Sequence, residues 1–350
     1  MKSKNYSENI IKVFKKDGFV LSEPDVLLDS DYIIQRSGEN FRKLMLTFED
    51  EAGKSMCLRP DLTVASCIKY LKENSKANSK IFYSGQAYRR SNSPKDKIIN
   101  DQLGIEILGS KNKSTDDLKV LKTIINSIKK IKVKNTSIKV SDVSLFQNLI
   151  ESLTVPERWK MRLKRHFWRP QYFEDLLKRL ETNSDVDPAV VELDKKRFTE
   201  MKNLDQSKEI ASRKVSEILS RFDRKIKDPR SFVENKKIVK IIREFLKINC
   251  SIDKLEKTLK SFVKKNDLNN SLFKDLSTIK NLSKINSKTI FSTNFGRDIE
   301  YYTGIVFEIY NSSKKEIARG GRYDGLLKSL GSKKNISAVG AAINLNNLQI

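Results

Sequence analysis

The pattern of hydrophobic and polar positions divides the chain into three regions, of which the first mixes a helix with strands. After Ser7, one amphipathic helix, which Gly18 is placed to end, is predicted by the stripe Ile10, Ile11, Val13 and Phe14. Residues 44–48 and 56–58 flank the polar run Glu51–Lys54. This arrangement is typical of a β-hairpin.

The second region, from about residue 114 to residue 288, has helical periodicity almost throughout. A predicted helix after Ser114 buries one face, which consists of Leu118, Leu121, Ile124, Ile125 and Ile128. Within this region, Ile138–Val140 indicates one short strand. From about Thr289 strands return, with the alternation Ile305, Phe307 and Ile309 before a turn at 311–315.

This order of elements predicts an α+β fold. Residues 1–113 and 289–350 are expected to build one core sheet together, and residues 114–288 form a mostly helical insertion within that core. Both ends of the chain thus contribute to one structural unit.

Composition narrows the function classes. Of 350 residues, 38% are hydrophobic, and no run of about 18 apolar residues predicts a membrane span. The first residues do not resemble a signal peptide, so a cytoplasmic location is expected. Three scattered cysteines and the single histidine His166 provide no metal-ligand pattern. We therefore expect neither a metal nor another cofactor.

A net charge of +25 leaves two interpretations open. A basic surface attracts phosphate groups of nucleic acids or nucleotides. Alternatively, a lysine-rich composition spreads charge over solvated faces, as in the run 128–134, where lysines alternate with apolar residues. The basic and aromatic stretch 158–169 allows the same two interpretations.

Three segments carry candidate chemistry. Asp61 follows Pro60 where a strand runs into a helix, so it is either a helix cap or a carboxylate for a ligand's ammonium group. Gln102 and Glu106 share one face of a predicted strand pair, 81–90 with 101–109, and Gly104 between them is expected to leave room for a small polar ligand. Alternatively, that face is an ordinary solvent-facing surface.

The third segment combines two tyrosines with two glycines on the next strand. Tyr301 and Tyr302 precede the strand, and Gly320-Gly321 follows on its neighbour, where the backbone is open to a ligand. Alternatively, the glycines mark a bulge and the tyrosines belong to the core.

In this order, the segments resemble the catalytic core of histidyl-tRNA synthetases and their relatives. The resemblance is carried by Leu58–Thr63, Tyr88-Arg89, Tyr301–Gly304 and Gly320–Asp324, and it covers residues 1–113 and 289–350. It implies a class II synthetase sheet of six or seven antiparallel strands flanked by helices, assembled as a dimer. The middle of the chain matches only in position and helical character.

The resemblance also implies a histidine-binding pocket. Asp61, where synthetases usually have Glu, meets the amino group, with Thr63 nearby; Arg89 is the motif 2 arginine; and Gln102 and Glu106 form the sheet floor. Arg297 matches the second catalytic arginine. The imidazole is contacted by Tyr301 and Tyr302.

Three departures argue against catalysis. Ser91 stands where motif 2 has Glu, the following loop carries Lys95 and Lys97 instead of arginines, and Asn346-Asn347 replaces the Glu-Arg of motif 3. Loss of that arginine removes a clamp on the nucleotide. We also expect no anticodon-binding domain after Ile350. No catalytic residue is therefore assigned.

These departures are similar to those of the regulatory-subunit family of ATP phosphoribosyltransferase, the first enzyme of histidine biosynthesis. That similarity implies a homodimer that binds the short-form catalytic subunit, enables its activity and helps to confer feedback inhibition by histidine. Two alternatives stay open: a tRNA-binding paralogue of histidyl-tRNA synthetase and a truncated aminoacylating enzyme.

Overall fold

The computed structural model describes residues 2–37, 39–73, 78–91, 97–182, 188–210, 213–226, 232–273, 276, 279, 281, 289–296 and 300–348. The chain divides into two compact units. Residues 1–144, 249–259 and 274–350 form the first unit, and residues 145–248 and 260–273 form the second.

A nine-stranded sheet organises the first unit. Its strands, in chain order, are β1 (Val20–Leu21), β5 (Ser79–Tyr88), β6 (Ile99–Leu108), β7 (Ser137–Asp142), β10 (Asn249–Ser251), β11 (Thr289–Ser292), β12 (Ile305–Tyr310), β13 (Glu316–Arg322) and β14 (Ala338–Asn344). Their spatial order is β1-β5-β6-β14-β13-β12-β7-β11-β10. The pairs β1/β5 and β7/β11 are parallel, and the other neighbours are antiparallel.

The predicted fold class is confirmed, whereas the expected count of six or seven strands is too low. Short strands at the edges account for the difference: β1 has two residues, and β10 has three. The predicted strand at 138–140 is confirmed as β7, which lies between β12 and β11 in the sheet.

A second, three-stranded sheet consists of β2 (Leu27–Asp29), β3 (Leu46–Glu49) and β4 (Ser55–Leu58), in the order β2-β4-β3. The predicted hairpin at 44–58 is confirmed as β3 and β4. Its turn contains Gly53 at φ +77°, a left-handed conformation that favours glycine.

Helices of the first unit are α1 (Lys2–Lys16), α2 (Ser30–Ser37), α3 (Glu39–Leu44), α4 (Leu62–Lys72), α5 (Lys113–Lys130) and α13 (Leu326–Ser329), and α12 (Leu255–Lys265) begins in it. α1 begins at Lys2, before the predicted start after Ser7, because no helix breaker precedes Ser7. Gly18 follows its end at φ +85°, as predicted. α5, from the stretch predicted to be an insertion, packs on β14 and belongs to the first unit.

In its described residues, the second unit is helical apart from one short hairpin. It contains α7 (Glu157–His166), α8 (Pro170–Thr182), α9 (Pro188–Lys202), α10 (Val215–Ile226) and α11 (Phe232–Leu246), most of α6 (Val143–Ser152), and the hairpin β8 (Glu209–Ile210) with β9 (Arg213–Lys214). Stacked aromatic rings fill its core, including Phe146 on Phe167 at 3.8 Å between centroids. No helix in the described part of the chain is long and apolar enough to cross a membrane.

Candidate functional site

A cavity of about 350 Å³ opens above one face of the large sheet in the first unit. Side chains from α4, from the residues around β5 and β6, from the segment before β12 and from β13 and β14 surround it. The lining residues are Asp61, Thr63, Arg89, Asn100, Gln102, Tyr301, Tyr302, Glu316, Arg319, Tyr323, Gly340, Ala341, Ala342 and Asn344. Charged and amide groups thus dominate a space of small-molecule size.

Asp61 caps a helix and also lines the cavity, so the cap is confirmed and the binding of a ligand's ammonium group stays a prediction. Its Oδ1 accepts a hydrogen bond from the backbone N–H of Val64 at 3.0 Å and caps α4. Its Oδ2 lies 3.6 Å from Arg89 Nη2 and accepts from the Tyr301 hydroxyl at 3.5 Å. The helix cap therefore fixes the carboxylate that faces the cavity.

Arg89 is oriented by the same segment. Its Nε donates to the backbone oxygen of Pro60 at 2.8 Å. This hydrogen bond and the contact with Asp61 hold the guanidinium in place. A negative and a positive group therefore lie next to each other at one end of the cavity. Such a pair matches the ammonium and carboxylate groups of an α-amino acid.

Glu106 lies beneath the cavity, with no exposed surface. One carboxyl oxygen accepts from Thr63 at 2.7 Å and from Tyr83 at 3.2 Å, and the other accepts from Tyr323. Burial raises the pKa of Glu106 to about 8, against the lowering effect of the Tyr323 and Thr63 hydrogen bonds. Glu106 is a buried anchor for cavity side chains rather than an open part of the floor.

The predicted room above Gly104 is not there. A Cβ at Gly104 would lie 2.3 Å from the Tyr83 ring, so Tyr83 occupies that space. On the neighbouring strand β14 the floor is open at Ala342, whereas the Glu106 carboxyl group lies over Gly340. Glycine at 340 is required because a Cβ there would come within 1.4 Å of Glu106 Oε2.

The tyrosine pair forms the wall above β13. The rings of Tyr301 and Tyr302 meet edge to face with centroids 5.1 Å apart. Gly321 makes this wall possible, because a Cβ there would lie 2.7 Å from Tyr302. Burial first, and the Asp61 carboxylate second, raise the pKa of the Tyr301 hydroxyl well above its ordinary value. Tyr301 therefore acts as a neutral hydrogen-bond donor.

Seven of the eight predicted site residues lie at the cavity or directly beneath it: Asp61, Thr63, Arg89, Gln102, Glu106, Tyr301 and Tyr302. The eighth, Arg297, lies outside the described residues, as does Lys95 of the motif 2 loop. Whether these residues bind histidine stays a prediction.

Sequence reasoning did not include Glu316 and Arg319 in the site. A spacing of three places them on opposite faces of a regular strand. In the structure, Tyr310 pairs with Glu316 and Ile309 with Ala318, so Ile317 is an extra residue in a β-bulge. The bulge brings both side chains to the cavity, where Arg319 Nη2 lies 2.8 Å from Glu316 Oε2.

The asparagines that stand in place of the motif 3 pair bind backbone groups. Asn346 donates to the backbone oxygen of Ile99 at 3.1 Å, and Asn347 donates to that of Glu316 at 2.7 Å. Both lie in or beside a 3₁₀ turn, Leu345–Asn347, that follows β14. They bring no positive charge to this edge of the cavity.

The described part of the chain contains no cluster of side chains that could bind a metal ion. There, no group of three or more His, Cys, Asp or Glu side chains is arranged to hold a metal ion. The described side chains offer charge pairs, amides and hydroxyls for binding an uncomplexed small molecule.

Comparison with curated proteins finds similar chains of nearly equal length. The chain is 25% identical over 366 aligned residues to an ATP phosphoribosyltransferase regulatory subunit from Allorhizobium ampelinum, covering 99% of this chain and 97% of that protein. Proteins of the same name from Brucella anthropi and Brucella ovis are 27% and 29% identical, each covering 94% of this chain and 92% of the relative.

Solved structures share the fold. An ATP phosphoribosyltransferase regulatory subunit/histidyl-tRNA synthetase from Bacillus halodurans C matches with a TM-score of 0.66 at 16% identity, covering 99% of this chain and 77% of that one. The ATP phosphoribosyl transferase (HisG:HisZ) complex from Thermotoga maritima contains a chain that matches with a TM-score of 0.57 at 20% identity, covering 98% and 97%.

The family model described as histidyl-tRNA synthetase matches residues 1–348 of the 350. This match covers both the sheet that carries the cavity and the helical unit. The chain therefore belongs to the histidyl-tRNA synthetase family.

Proposed function

We propose that this chain is a non-catalytic regulatory subunit of ATP phosphoribosyltransferase, with histidine as its effector. The observation that carries this proposal is the similarity, over nearly the whole length of both chains, to relatives named as that subunit. Loss of the synthetase's nucleotide clamp, described next, points in the same direction.

At the motif 3 position, asparagines stand where adenylate formation uses an arginine. Asn346 and Asn347 occupy the motif 3 position and use their amides to bind backbone oxygens. An amide cannot replace an arginine as a charge-assisted donor to phosphate. Removal of one such preorganised donor typically costs about 100- to 1000-fold in rate, which supports a binding role without catalysis.

On the amino-acid side of the site, the described charges come in pairs. Asp61 and Arg89 lie 3.6 Å apart, and Glu316 and Arg319 lie 2.8 Å apart on the cavity lining. Among the described lining residues, two carboxylates balance two guanidinium groups, which suits a zwitterion better than a nucleotide. For regulation, histidine must bind two states of the assembly with different affinity.

The partner in this proposal is a short-form catalytic subunit, bound by a homodimer of this chain. Support for a self-contact comes from an exposed apolar face on the three-stranded sheet. Period-two alternation places Leu27, Leu46, Phe48, Met56 and Leu58 on that face, and Leu27 and Phe48 are 50% and 42% exposed. Contiguous apolar surface of this kind marks an interaction site.

The test measures ATP-dependent phosphoribosyl transfer by the short-form catalytic subunit from the same genome, with and without this chain, and with histidine added. We expect transfer to require the chain and to fall when histidine is present. Asp61→Asn removes a cavity charge while Asn keeps the helix cap. We expect this variant to activate normally and to lose inhibition by histidine.

The outcomes separate two parts of the proposal. If the chain leaves both activity and inhibition unchanged, it is not the regulatory subunit. If activation occurs but Asp61→Asn is inhibited normally, the effector binds elsewhere. Exchange of pyrophosphate into ATP in the presence of histidine would instead identify an aminoacylating enzyme.

A second candidate, tRNA binding, is favoured by the arginines of α7 and the residues after it. Arg162 stacks on Trp159 at 4.5 Å, and Arg169 stacks on Trp168 at 4.2 Å. Stacked guanidinium groups are suited to nucleic-acid recognition. If the chain binds tRNA, its affinity for tRNA should fall steeply as the salt concentration rises. Weak binding that does not depend on salt would rule this candidate out.

A further inference from the structure

Four arginines follow one another at helical spacing on α7 and just after it. They are Arg158, Arg162, Arg165 and Arg169. Spacings of three and four residues place side chains on one side of a helix, and we call these arginines, with Met161 among them, the arginine face. The chain has 50 lysines and only 19 arginines, so arginine is much the rarer cation. A face that carries arginine and no lysine points to a role for the planar guanidinium group.

The lysines of α7 lie on a different side of the helix and are bound within the chain. Lys160 Nζ lies 3.6 Å from Glu151 Oε2, and Lys164 contacts the other oxygen of the same carboxylate. In the part of the chain that the structure describes, neither Arg165 nor Arg169 forms an ion pair with a carboxylate. The charges of these two arginines are therefore available to another molecule.

Two tryptophan rings hold arginines of this face in place. The guanidinium group of Arg162 lies 4.5 Å from the centroid of the Trp159 ring, and that of Arg169 lies 4.2 Å from the centroid of the Trp168 ring. A stacked guanidinium group has less conformational freedom left to lose when a partner binds. The arginine face is thus partly ordered before binding.

The guanidinium groups lie close together around the single histidine, His166. Burial first, and then the positive charges of Arg165, Arg169 and Arg162, lower the pKa of its imidazole. The ring therefore stays neutral at pH 7 and packs edge to face on Tyr172, with centroids 4.6 Å apart. Cations gathered in one place repel one another, so carboxylates placed among them bind favourably.

Two observations favour an acidic protein surface over a nucleic acid as the partner. Trp159 is fully buried, so its ring cannot stack on a base, and Arg169 covers one face of the Trp168 ring. Met161 is 40% exposed on the arginine face, one turn before Arg165. Arginine and methionine are enriched at protein–protein interfaces, where lysine is depleted.

We propose that the arginine face is the surface through which this chain binds an acidic surface of its catalytic-subunit partner. Each guanidinium fork binds a carboxylate of the partner with two parallel hydrogen bonds, and Met161 adds an apolar contact. The inference rests on the proposed function, which supplies the partner. It adds which surface of the chain makes the contact and what chemistry the partner presents.

Calorimetric titration of the full chain with the short-form catalytic subunit from the same genome, without histidine, tests this surface. Arg165→Glu places a carboxylate against the acidic groups of the partner and is expected to weaken binding by about 30-fold or more. Arg165→Lys keeps the charge but loses the fork, so it is expected to weaken binding less than Arg165→Glu does. Because Arg165 is exposed, both variants leave the core of the helical unit unchanged.

Arg197→Glu is the matched control. Arg197 is an exposed arginine on α9 of the same helical unit and lies outside the arginine face. The same charge reversal there is expected to leave the affinity within about threefold of that of the unmodified chain. A rise in salt concentration is expected to weaken binding by the unmodified chain more than binding by Arg165→Glu.

Equal affinities of Arg165→Glu and Arg197→Glu for the catalytic subunit overturn the proposal, because a shared change reports only the net charge of the chain. Normal binding of the catalytic subunit by Arg165→Glu, together with loss of tRNA binding, also overturns it and identifies a nucleic-acid surface. If the unmodified chain neither binds nor activates the catalytic subunit, the proposed function itself fails. Activation by the unmodified chain and by Arg165→Glu alike leaves the regulatory role standing and places the contact elsewhere.

Discussion

The ionisation of one residue, Glu106, is expected to make the stability of the chain depend on pH. Burial raises its pKa from an ordinary 4.5 to about 8. The folded chain thus binds this proton more tightly than the unfolded chain. The resulting stabilisation is complete below about pH 4.5 and is lost as the pH rises through about 8.

Glu106→Gln isolates this effect because glutamine keeps the shape and does not titrate. Relative to the variant, the unmodified chain is expected to lose up to about 1.4 kcal/mol of unfolding free energy per pH unit between pH 5 and pH 8. Urea unfolding of both proteins at pH 5, 6.5 and 8 measures the difference. If the difference in unfolding free energy between the two proteins stays constant from pH 5 to pH 8, Glu106 is already ionised near pH 5.

Asp61 combines two roles that substitution can separate. Asn caps helices as well as Asp does, whereas Ala costs about 1 kcal/mol at such a position. Asp61→Asn is therefore expected to unfold within about 0.5 kcal/mol of the unmodified chain and to lose histidine binding, and Asp61→Ala is expected to lose both binding and stability. Denaturant unfolding and calorimetric titration check the two properties. Normal histidine binding by Asp61→Asn would contradict the assigned role.

At the level of elements, the packing of β6 against β14 depends on a glycine, Gly340, which has no side chain. A Cβ at Gly340 would lie 1.4 Å from Glu106 Oε2, so Gly340→Ala must displace the buried carboxyl group. We expect a loss of about 3 kcal/mol in unfolding free energy, the upper range for overpacking. Gly325→Ala is the matched control, because its Cβ would meet only Thr303 at 3.8 Å. Equal stability of the two variants would contradict this packing.

A buried ion network joins α5 to β13. Arg322 Nε donates to Asp117 Oδ1 at 2.9 Å, and its Nη1 donates to Asp324 Oδ1 at 2.8 Å. Arg322→Met removes the arginine partner of the buried Asp117 carboxylate, whereas Asp324 keeps its ion pair with Lys113, and the variant is expected to cost about 3 kcal/mol or more. The double variant Arg322→Met/Asp117→Asn is expected to regain part of that loss in thermal unfolding. No recovery would show that packing of the arginine side chain decides the effect.

The regularity of each strand determines which of its site residues could be predicted from the sequence. Gln102 and Glu106 were predictable as residues of one face because they lie four positions apart, an even spacing, on a regular strand. Glu316 and Arg319 were not, since the bulge at Ile317 changes the face of one of them. The space above Gly104 was also beyond the sequence, because Tyr83 reaches it from the neighbouring strand.

For the whole molecule, periodicity and family motifs predicted the fold class, the hairpin at 46–58 and strand β7. The number of strands was not predictable in the same way. β1 and β10 are too short to show alternation, and they form only because longer strands beside them offer free backbone groups. Pairing between distant segments, rather than local pattern, sets the edges of the sheet.

The apolar face of the three-stranded sheet leads to a prediction about assembly. Leu27 and Phe48 are half exposed on a face that also carries Leu46, Met56 and Leu58. If a second copy covers this face, Phe48→Asp introduces an unpaired charge on it and is expected to weaken the dimer by at least about 100-fold.

Light scattering coupled to size-exclusion chromatography measures the mass in solution. We expect the unmodified chain to have twice the mass of one chain and Phe48→Asp to have the mass of one. Leu193→Asp is the matched control, since Leu193 is 53% exposed on α9 of the helical unit and should leave the dimer intact. A dimer that survives Phe48→Asp would place the self-contact on another surface. Because Phe48 does not line the cavity, histidine binding by the resulting monomer would further tell whether the cavity needs the partner copy to recognise its ligand.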